Sequence, residues 1–393
     1  MASNGKFQGR EVVIVEAART PIGRGHEEKG YYKDVHASNL LSKTFKELTE
    51  RAGIEASEVE DVVTGCVQQF GEQGFNIGRN AWLEAGLPME TPATTIDRQC
   101  GSAQQAVNFA AALIASGVHD VAIGGGVEHM GHISFADGMS VQQEHGFAFS
   151  PQLLERYNLV PQGISAEMIA DKWEIPRSEL DEIGLRSHQL AAKATEEGRF
   201  ERETIPFSVN GDTYVTDQGI RPDTSLEKLS QLKPAFKEDG KITAGNSSQI
   251  SDGAAAVLLM TREKADELGT APRARIVDET TVGVDPVIML TGPIPATKKL
   301  LDRNGMNIAD IDLIEINEAF ASVVAAWRRE LEPDMDRVNV NGGAIALGHP
   351  LGSTGARLIT TLLHELERSD KEWGLVTMCC GGGLGTGTLI QRV

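Results

Sequence analysis

The sequence is poor in cysteine, with four residues among 393. They are Cys66, Cys100, Cys379 and Cys380, and their spacing matches neither a disulfide framework nor paired C-x-x-C metal ligands. Cysteine usage of this kind excludes the small disulfide-stapled secreted classes and is typical of a reducing compartment. The sequence therefore predicts a cytoplasmic protein without structural disulfides.

The chain also lacks long apolar runs and an excess of positive charge. No run approaches the roughly 20 apolar residues that a membrane-spanning helix needs. The N-terminal MASNGKFQGR has no apolar signal core, and the C-terminal Gln391-Arg392-Val393 is not a peroxisomal address. Lysine and arginine number 37 against 56 acidic residues, which gives a net charge of −19. We therefore expect neither nucleic acid nor membrane as a partner, and an anionic ligand would need a local basic pocket.

Strand and helix patterns alternate along much of the chain. Short buried-strand runs such as EVVIVE (11–16), DVVTGCV (61–67) and DVAIGGG (120–126) are separated by helical periodicity or glycine-rich loops. The stretch QQFGEQGFNIGRNA (68–81) is read as a shaped loop because of its glycines. Such alternation predicts a layered α/β fold, and the length of 393 residues suggests two or three domains.

The two ends of the sequence resemble one another. The segment SEVEDVV (57–63) resembles ADIDLIE (309–315), CGS (100–102) has a counterpart in LGS (351–353), and both halves contain an apolar strand ending in three glycines. From about 128 to 250 the pattern breaks into methionines, prolines and amphipathic helices such as 177–197. We expect an N-terminal half at 1–127 completed by 251–272, an inserted domain at 128–250, and a C-terminal half at 273–393.

Cys100 stands where a short β-leaning run gives way to a helical pattern. In ATTIDRQCGSAQQAVNFAAALIAS (93–116), apolar residues recur at helical spacing after Gly101. The free amides and positive dipole at a helix N-terminus would lower a thiol pKa from about 8.5 into the range of roughly 3.5–7.5. Cys100 is therefore a candidate nucleophile, although an isolated cysteine is more often a packing residue.

Three further motifs carry polar side chains to strand ends or glycine-rich loops. Asn317 in NEAFA follows the predicted strand 313–316, where the carboxyl edge of an α/β sheet usually forms a site. His349 lies between glycine and proline in NGGAIALGHPLGSTG, which suits an acid or base. Cys379 and Cys380 precede three glycines. Taken singly, Asn317 could be a turn residue, His349 a surface-loop residue, and the cysteine pair could include a buried packing residue.

This set of side chains is compatible with two kinds of chemistry, metal binding and acyl transfer. A metal site joining the cysteines to His349 is disfavoured because metal-ligand spacing is absent. Two thiols, an imidazole, an amide and exposed backbone N–H groups instead suit acyl transfer through a thioester.

Four blocks of the sequence, DRQCGSAQQA, NEAFA, NGGAIALGHPLGSTGAR and CCGGGLGTG, closely resemble the thiolases, the acetyl-CoA C-acyltransferases. The resemblance runs nearly end to end and looks strongest toward actinobacterial enzymes of fatty-acid and sterol degradation. It implies a layered α/β/α/β/α fold with an inserted loop domain over the coenzyme. It also implies CoA-dependent cleavage of 3-oxoacyl-CoA to acetyl-CoA and a shortened acyl-CoA, in a reversible Claisen reaction.

The resemblance implies a role for each catalytic position. Cys100 would become acylated, His349 would activate it and later the CoA thiol, and Cys379 would exchange a proton with the acetyl α-carbon. Asn317 would hold a water that forms one oxyanion hole with His349, and the N–H groups of Cys100 and Gly381 would form the other. Cys380 falls at a position that is usually not catalytic.

Coenzyme A is then a co-substrate, with no permanently bound cofactor or metal. The resemblance places Ser248 near the pantetheine, Arg221 near the adenine and phosphates, and Phe236 and Phe320 along the channel. Thiolases that form acetoacetyl-CoA carry a His-Met pair where this chain has Pro161-Gln162, which argues against so small a substrate. We expect a homodimer or homotetramer.

The sequence leaves two rival functions. A ketoacyl synthase or hydroxymethylglutaryl-CoA synthase also uses a cysteine nucleophile, but NEAFA and Cys379 disfavour both. A non-catalytic acyl-CoA or sterol carrier of the same fold should have lost Cys100 or His349, and both are present.

Overall fold

The computed structural model describes residues 9–393, so most of the N-terminal decapeptide considered above lies outside the described residues. The first part of the described chain alternates strands and helices. Its elements are β1 Val12–Arg19, β2 Gly23–Arg24, α1 Ala37–Ala52, β3 Asp61–Gly65, α2 Ile77–Glu84, β4 Ala93–Ile96, α3 Ser102–Ala115 and β5 Val121–His129.

The middle part is mostly helical. Its elements are α4 Phe135–His145, α5 Pro151–Arg156, α6 Gln162–Lys172, α7 Arg177–Glu196, β6 Phe207–Val209, β7 Asp212–Tyr214 and α8 Leu226–Ser230. The last part returns to alternation. Its elements are β8 Ser251–Thr261, α9 Arg262–Leu268, β9 Ala274–Gly283, α10 Pro293–Asn304, β10 Leu313–Ile316, α11 Ala321–Leu331, α12 Ala344–Leu347, α13 Thr354–Arg368, β11 Trp373–Cys380 and β12 Leu384–Arg392.

The main sheet has the strand order β10-β11-β12-β9-β1-β8-β5-β3-β4. Its two sides repeat one another outward from the β1–β9 pair. On one side, the pairs β1–β8 and β8–β5 are antiparallel, and the pairs from β5 out to the edge strand β4 are parallel. On the other side, β9–β12 and β12–β11 are antiparallel, and β11–β10 is parallel. Beyond β10, a parallel β-bridge between Ile314 and Val338 occupies the position that β4 has at the opposite edge. The repeated strand order agrees with the similarity between the two ends of the sequence.

Helices cover both sides of this sheet in layers. Apolar residues of α1 and α2, such as Phe45 and Trp82, pack on the strands of the first half, and Leu300 of α10 and Trp327 of α11 pack on those of the second. Helices α3 and α13 lie between the two halves and share one core with strands of both. The predicted α/β/α/β/α layering is confirmed.

Two details of the sequence interpretation were wrong. Gly124, Gly125 and Gly126 do not end a strand, because β5 continues to His129. They lie inside it, where a Cβ on Gly124 would come within 2.4 Å of Val107 in α3, so glycine allows the helix to lie against the sheet. The stretch 68–81 is not only a loop, since the Asn76 side chain caps α2 and Ile77, Ala81 and Trp82 are buried.

The mostly helical middle part packs on α11. Ala166 and Ile169 of α6 and Leu180 of α7 share a core with Ala321 and Val323 of α11. This contact places the segment 160–250 over the carboxyl end of β10. Within residues 9–393, every helix is too short or too polar to span a bilayer.

The tightest approach between the halves gives a first prediction. A Cβ on Gly126 would lie 1.9 Å from the Gly352 carbonyl oxygen, a contact that only backbone movement could relieve. We expect Gly126→Ala to lower the free energy of unfolding by about 3 kcal/mol through overpacking. Gly283→Ala is the matched control, since a Cβ there meets nothing within 4 Å, and it should change stability by less than about 0.5 kcal/mol. Equal denaturation midpoints for the two variants would contradict the role assigned to this approach.

Candidate active site

Cys100 sits at the end of a strained turn between β4 and α3. The residue before it, Gln99, has a positive φ of 50°, which is uncommon for a residue with a side chain. Asp97 Oδ1 accepts the Gln99 N–H at 2.6 Å, and the Ser102 hydroxyl donates to the Gln99 carbonyl at 2.6 Å. These bonds hold the turn in place and fix the position of the Cys100 sulfur.

The Cys100 sulfur is buried beside two backbone amides. The N–H groups of Gly381 and of Cys100 itself favour the thiolate form and so oppose a rise in its pKa. Burial nevertheless raises the pKa of the thiol to about 11, against the opposing effect of the two amides. The expectation that the thiol pKa is lowered is therefore wrong, because desolvation outweighs the effect of the helix terminus.

His349 is held in one tautomer by Thr354. The Thr354 hydroxyl donates to the Pro350 carbonyl at 2.7 Å and lies 2.6 Å from His349 Nδ1, so the oxygen accepts a proton from Nδ1. Nε2 therefore carries the lone pair and lies 3.2 Å from the Asn317 amide nitrogen. Burial, with the nearby Arg357 charge, lowers the pKa of His349 to about 3. The imidazole is neutral and presents Nε2 as a proton acceptor.

The second thiol pair ends β11. Cys379 is fully buried and packs with Ala319 and Phe320, and burial together with the neighbouring Cys100 raises its pKa well above the usual range. Cys380 also lies near Cys100, but its sulfur packs against Gly101 and interacts with the Thr386 hydroxyl. Cys379 is thus a protonated thiol beside Cys100, which suits a proton donor.

Two buried carboxylates brace the loops that carry these groups. Glu128 accepts the backbone N–H groups of Val67, Gln68 and Gly352, with the Gly352 bond at 2.8 Å. It thereby joins a loop of the first half to the loop after His349.

Glu318 plays the corresponding part in the second half. It accepts hydrogen bonds from the Ser187 hydroxyl at 2.6 Å, the Asn339 amide and the Ile345 N–H. It therefore fixes the loop before His349 to α7. Sequence reasoning missed Glu128, Thr354 and this role of Glu318, although each lies inside or beside a motif that it had singled out.

Cys100 and His349 line one cavity of about 430 Å³. Ser248, Phe236 and Phe320 line the same cavity, and the two phenylalanine rings meet edge to face with centroids 5.9 Å apart. Asn317 and Cys379 are fully buried and do not line it; the Asn317 amide contacts His349, and Cys379 lies near Cys100. Arg221 does not line it, and its backbone N–H bonds to His188 instead.

The arrangement suits acyl transfer through a cysteine. It combines a thiol, a neutral imidazole acceptor, two amide donors on the reacting sulfur and a second protonated thiol. Among residues 9–393, no group of three or more His, Cys, Asp or Glu side chains is placed to hold a metal ion.

Known proteins resemble the chain over its whole length. The family model for the N-terminal domain of thiolase matches residues 12–263, and the model for the C-terminal domain matches residues 270–392. The steroid 3-ketoacyl-CoA thiolase of Mycobacterium tuberculosis is 45% identical over 389 residues, covering 98% of this chain and 94% of that protein. A 3-ketoacyl-CoA thiolase of Cronobacter sakazakii is 46% identical over 395 residues, covering 98% of this chain and 100% of that protein.

A solved structure shows the same fold. The acetyl-CoA acetyltransferase of Bacillus anthracis superposes with a TM-score of 0.88 at 39% identity, and each chain is covered completely.

The raised thiol pKa predicts how Cys100 reacts with alkylating agents. Since only the thiolate reacts, the rate of iodoacetamide labelling should rise about tenfold per pH unit from about pH 7 to about pH 9. Labelling at Cys100 is measured by peptide mass spectrometry in the absence of ligands. A rate that levels off below about pH 8 would show a preformed thiolate–imidazolium pair and contradict the neutral resting state.

Proposed function

Because the chain belongs to the thiolase family, we propose that Cys100, His349, Cys379 and Asn317 carry out the family's reaction here. That reaction is the CoA-dependent cleavage of 3-oxoacyl-CoA to acetyl-CoA and a shortened acyl-CoA, and it makes the protein an acyltransferase. The observation that carries the assignment is the pair of N–H groups, from Cys100 and Gly381, aimed at a sulfur that shares its cavity with His349 Nε2.

In the first half-reaction, Cys100 Sγ attacks the C3 carbonyl carbon while its proton moves to His349 Nε2. The C3 oxygen accepts the N–H groups of Cys100 and Gly381. The C2–C3 bond then breaks, and its electron pair forms the enolate of acetyl-CoA. The proton on His349, with a water held by Asn317, stabilises the enolate oxygen. Cys379 donates its proton to C2, which completes acetyl-CoA.

The second half-reaction returns the enzyme to its starting state. The proton on His349 passes to the Cys379 sulfur, so both groups are neutral again. The thiol of an incoming CoA gives its proton to Nε2 and attacks the acyl carbon. The bond from that carbon to Cys100 Sγ breaks, and Cys100 recovers a proton from His349. Because each step is reversible, the same groups support condensation.

Burial explains why Cys100 and His349 are both uncharged before the reaction starts. A thiol with a pKa of about 11 and an imidazole with a pKa of about 3 exchange a proton only when the forming bond and the oxyanion donors stabilise the charges. Burial of Cys379 likewise keeps it protonated until a carbanion appears. The site therefore stabilises the charged transition states more than it stabilises the starting complex.

Coenzyme A acts in this proposal as a co-substrate with no permanently bound cofactor. Ser248, Phe236 and Phe320 would line its pantetheine, because they border the cavity that reaches Cys100. Arg221 would meet the adenine and phosphate end beyond the cavity.

We also propose a division of the chain into 1–127 with 251–272, 128–250, and 273–393. The repeated strand order supports the two outer units. A cytoplasmic homodimer or homotetramer is part of the same proposal. The rival carrier and condensing-enzyme functions are not favoured, since the similar proteins are named as thiolases and acetyltransferases.

The adjacent cysteines allow a matched test of the acid role. We expect Cys379→Ala to lower kcat for thiolysis by roughly 10²–10⁴-fold, because general acid catalysis at C2 is lost. Exchange of labelled CoA into an ordinary acyl-CoA should continue, since it needs only Cys100 and His349. Cys380→Ala should keep both activities. Equal loss of both activities in Cys379→Ala would contradict the assignment.

The tautomer argument makes Thr354 a positioning residue. Thr354→Val keeps the shape but removes the acceptor for Nδ1–H, and it should lower kcat by roughly 10²-fold. Thr354→Ser restores the hydroxyl and should recover most of the rate. The pH profile of kcat is measured for all three proteins. An unchanged kcat in Thr354→Val would overturn the role given to this bond.

A further inference from the structure

The proposed two-step reaction, on which this inference rests, needs two separate spaces beside Cys100. After the first step the acyl group stays on the sulfur while acetyl-CoA leaves and a new CoA enters by the same channel. The acyl group must therefore lie outside the cavity that Ser248 and Phe320 border. A second opening next to the nucleophile is required.

Such a cavity exists on the other side of the oxyanion donors. It has a volume of about 570 Å³, within the usual range for ligand pockets, and Gln99, Gly381 and Gly382 form its inner end. Gln99 directly precedes Cys100, and the Gly381 N–H lies near enough to the Cys100 sulfur to favour its thiolate. The cavity thus begins at the atoms that would hold the thioester oxygen.

Gln162 separates this second cavity from the first. Gln162 and Pro161 line both cavities, and Gln162 Nε2 would lie only 2.8 Å from a Cβ placed on Gly381. Across residues 9–393, no hydrogen bond holds the Gln162 side chain in place. The two spaces are therefore divided by Pro161 and by the half-buried side chain of Gln162, which no hydrogen bond among the described residues holds.

The lining of the second cavity indicates what it holds. It carries no charged side chain, and its outer wall is formed by Phe149, Leu153, Tyr157, Val160, Val284 and Met289. Phe149 also borders an open groove with Phe147 and Leu154, so apolar surface continues outward from the cavity; the one charged residue lining that groove, Glu155, would repel a carboxylate. Burying a free carboxylate here would be costly without a cationic partner.

We propose that this second cavity binds the acyl group of the substrate and selects uncharged, bulky apolar acyl groups. The enzyme then prefers a long, branched or ring-bearing 3-oxoacyl-CoA to acetoacetyl-CoA, and discriminates against acyl groups that end in a carboxylate. Gln162 moves aside, or contacts the C3 carbonyl region, when the acyl group enters.

Two pairs of substrates test directly which class of acyl group the enzyme prefers. The value of kcat/KM should be at least about tenfold higher for 3-oxodecanoyl-CoA than for acetoacetyl-CoA. It should be at least about tenfold higher for 3-oxohexanoyl-CoA than for 3-oxoadipyl-CoA, which differs by a terminal carboxylate. Equal or reversed ratios would overturn the proposed class. Absence of cleavage with every one of the four substrates would instead overturn the proposed thiolase function.

Matched variants test the location of the acyl group. Val160→Trp should lower the ratio of kcat/KM for 3-oxodecanoyl-CoA to that for acetoacetyl-CoA by at least about tenfold. Val141→Trp makes the same change on α4 outside both cavities and should leave the ratio as in the parent enzyme. An unaltered ratio in Val160→Trp would overturn the location.

A variant that adds a positive charge tests the same location without adding bulk to block the cavity. Leu153 is half-buried on α5, where lysine can be accommodated. Leu153→Lys should raise the ratio of kcat/KM for 3-oxoadipyl-CoA to that for 3-oxohexanoyl-CoA by about tenfold through pairing with the carboxylate. No rise in this ratio would contradict binding of the acyl end beside Leu153.

Discussion

The site depends on the close approach of two backbone segments from opposite halves of the molecule. Gly126 of β5 and Gly352 of the loop after His349 meet where no Cβ fits, and Glu128 accepts the Gly352 N–H together with two amides of the first half. Cys100 belongs to the first half, whereas His349 and Cys379 belong to the second. Without this contact, Cys100 and His349 would not share a cavity, and Cys379 would not lie beside Cys100.

Burial sets the chemistry of that cavity. Removing Cys100 and His349 from water raises the pKa of the thiol and lowers that of the imidazole, so neither is charged at rest. A dry site makes each hydrogen bond to a developing charge stronger than it would be in water. The cost of separating charge is therefore offset by donors already in place, the N–H groups of Cys100 and Gly381, when the carbonyl oxygen becomes negative.

Much of the fold could be predicted because local patterns are strong. The strand 313–316 and the helix beginning at Arg177 follow directly from periodicity, and the repeat between the halves follows from matching segments. Glycines were harder to interpret, because glycine forms a turn at Gly381 but allows close packing of a helix at Gly124. The thiol pKa could not be predicted, because burial comes from side chains far apart in sequence. Thr354 and Glu128 act through contacts that spacing does not reveal.

The central claim is that acyl groups pass through a covalent bond to Cys100 in a site shared by both halves. The most direct test is to mix the protein with a 3-oxoacyl-CoA in the absence of free CoA, quench with acid and determine acylated peptides by mass spectrometry. The acyl mass should appear on the peptide containing Cys100 and be absent from those containing Cys66, Cys379 and Cys380. Turnover accompanied by an acyl group on another cysteine, or by none on Cys100, would contradict it.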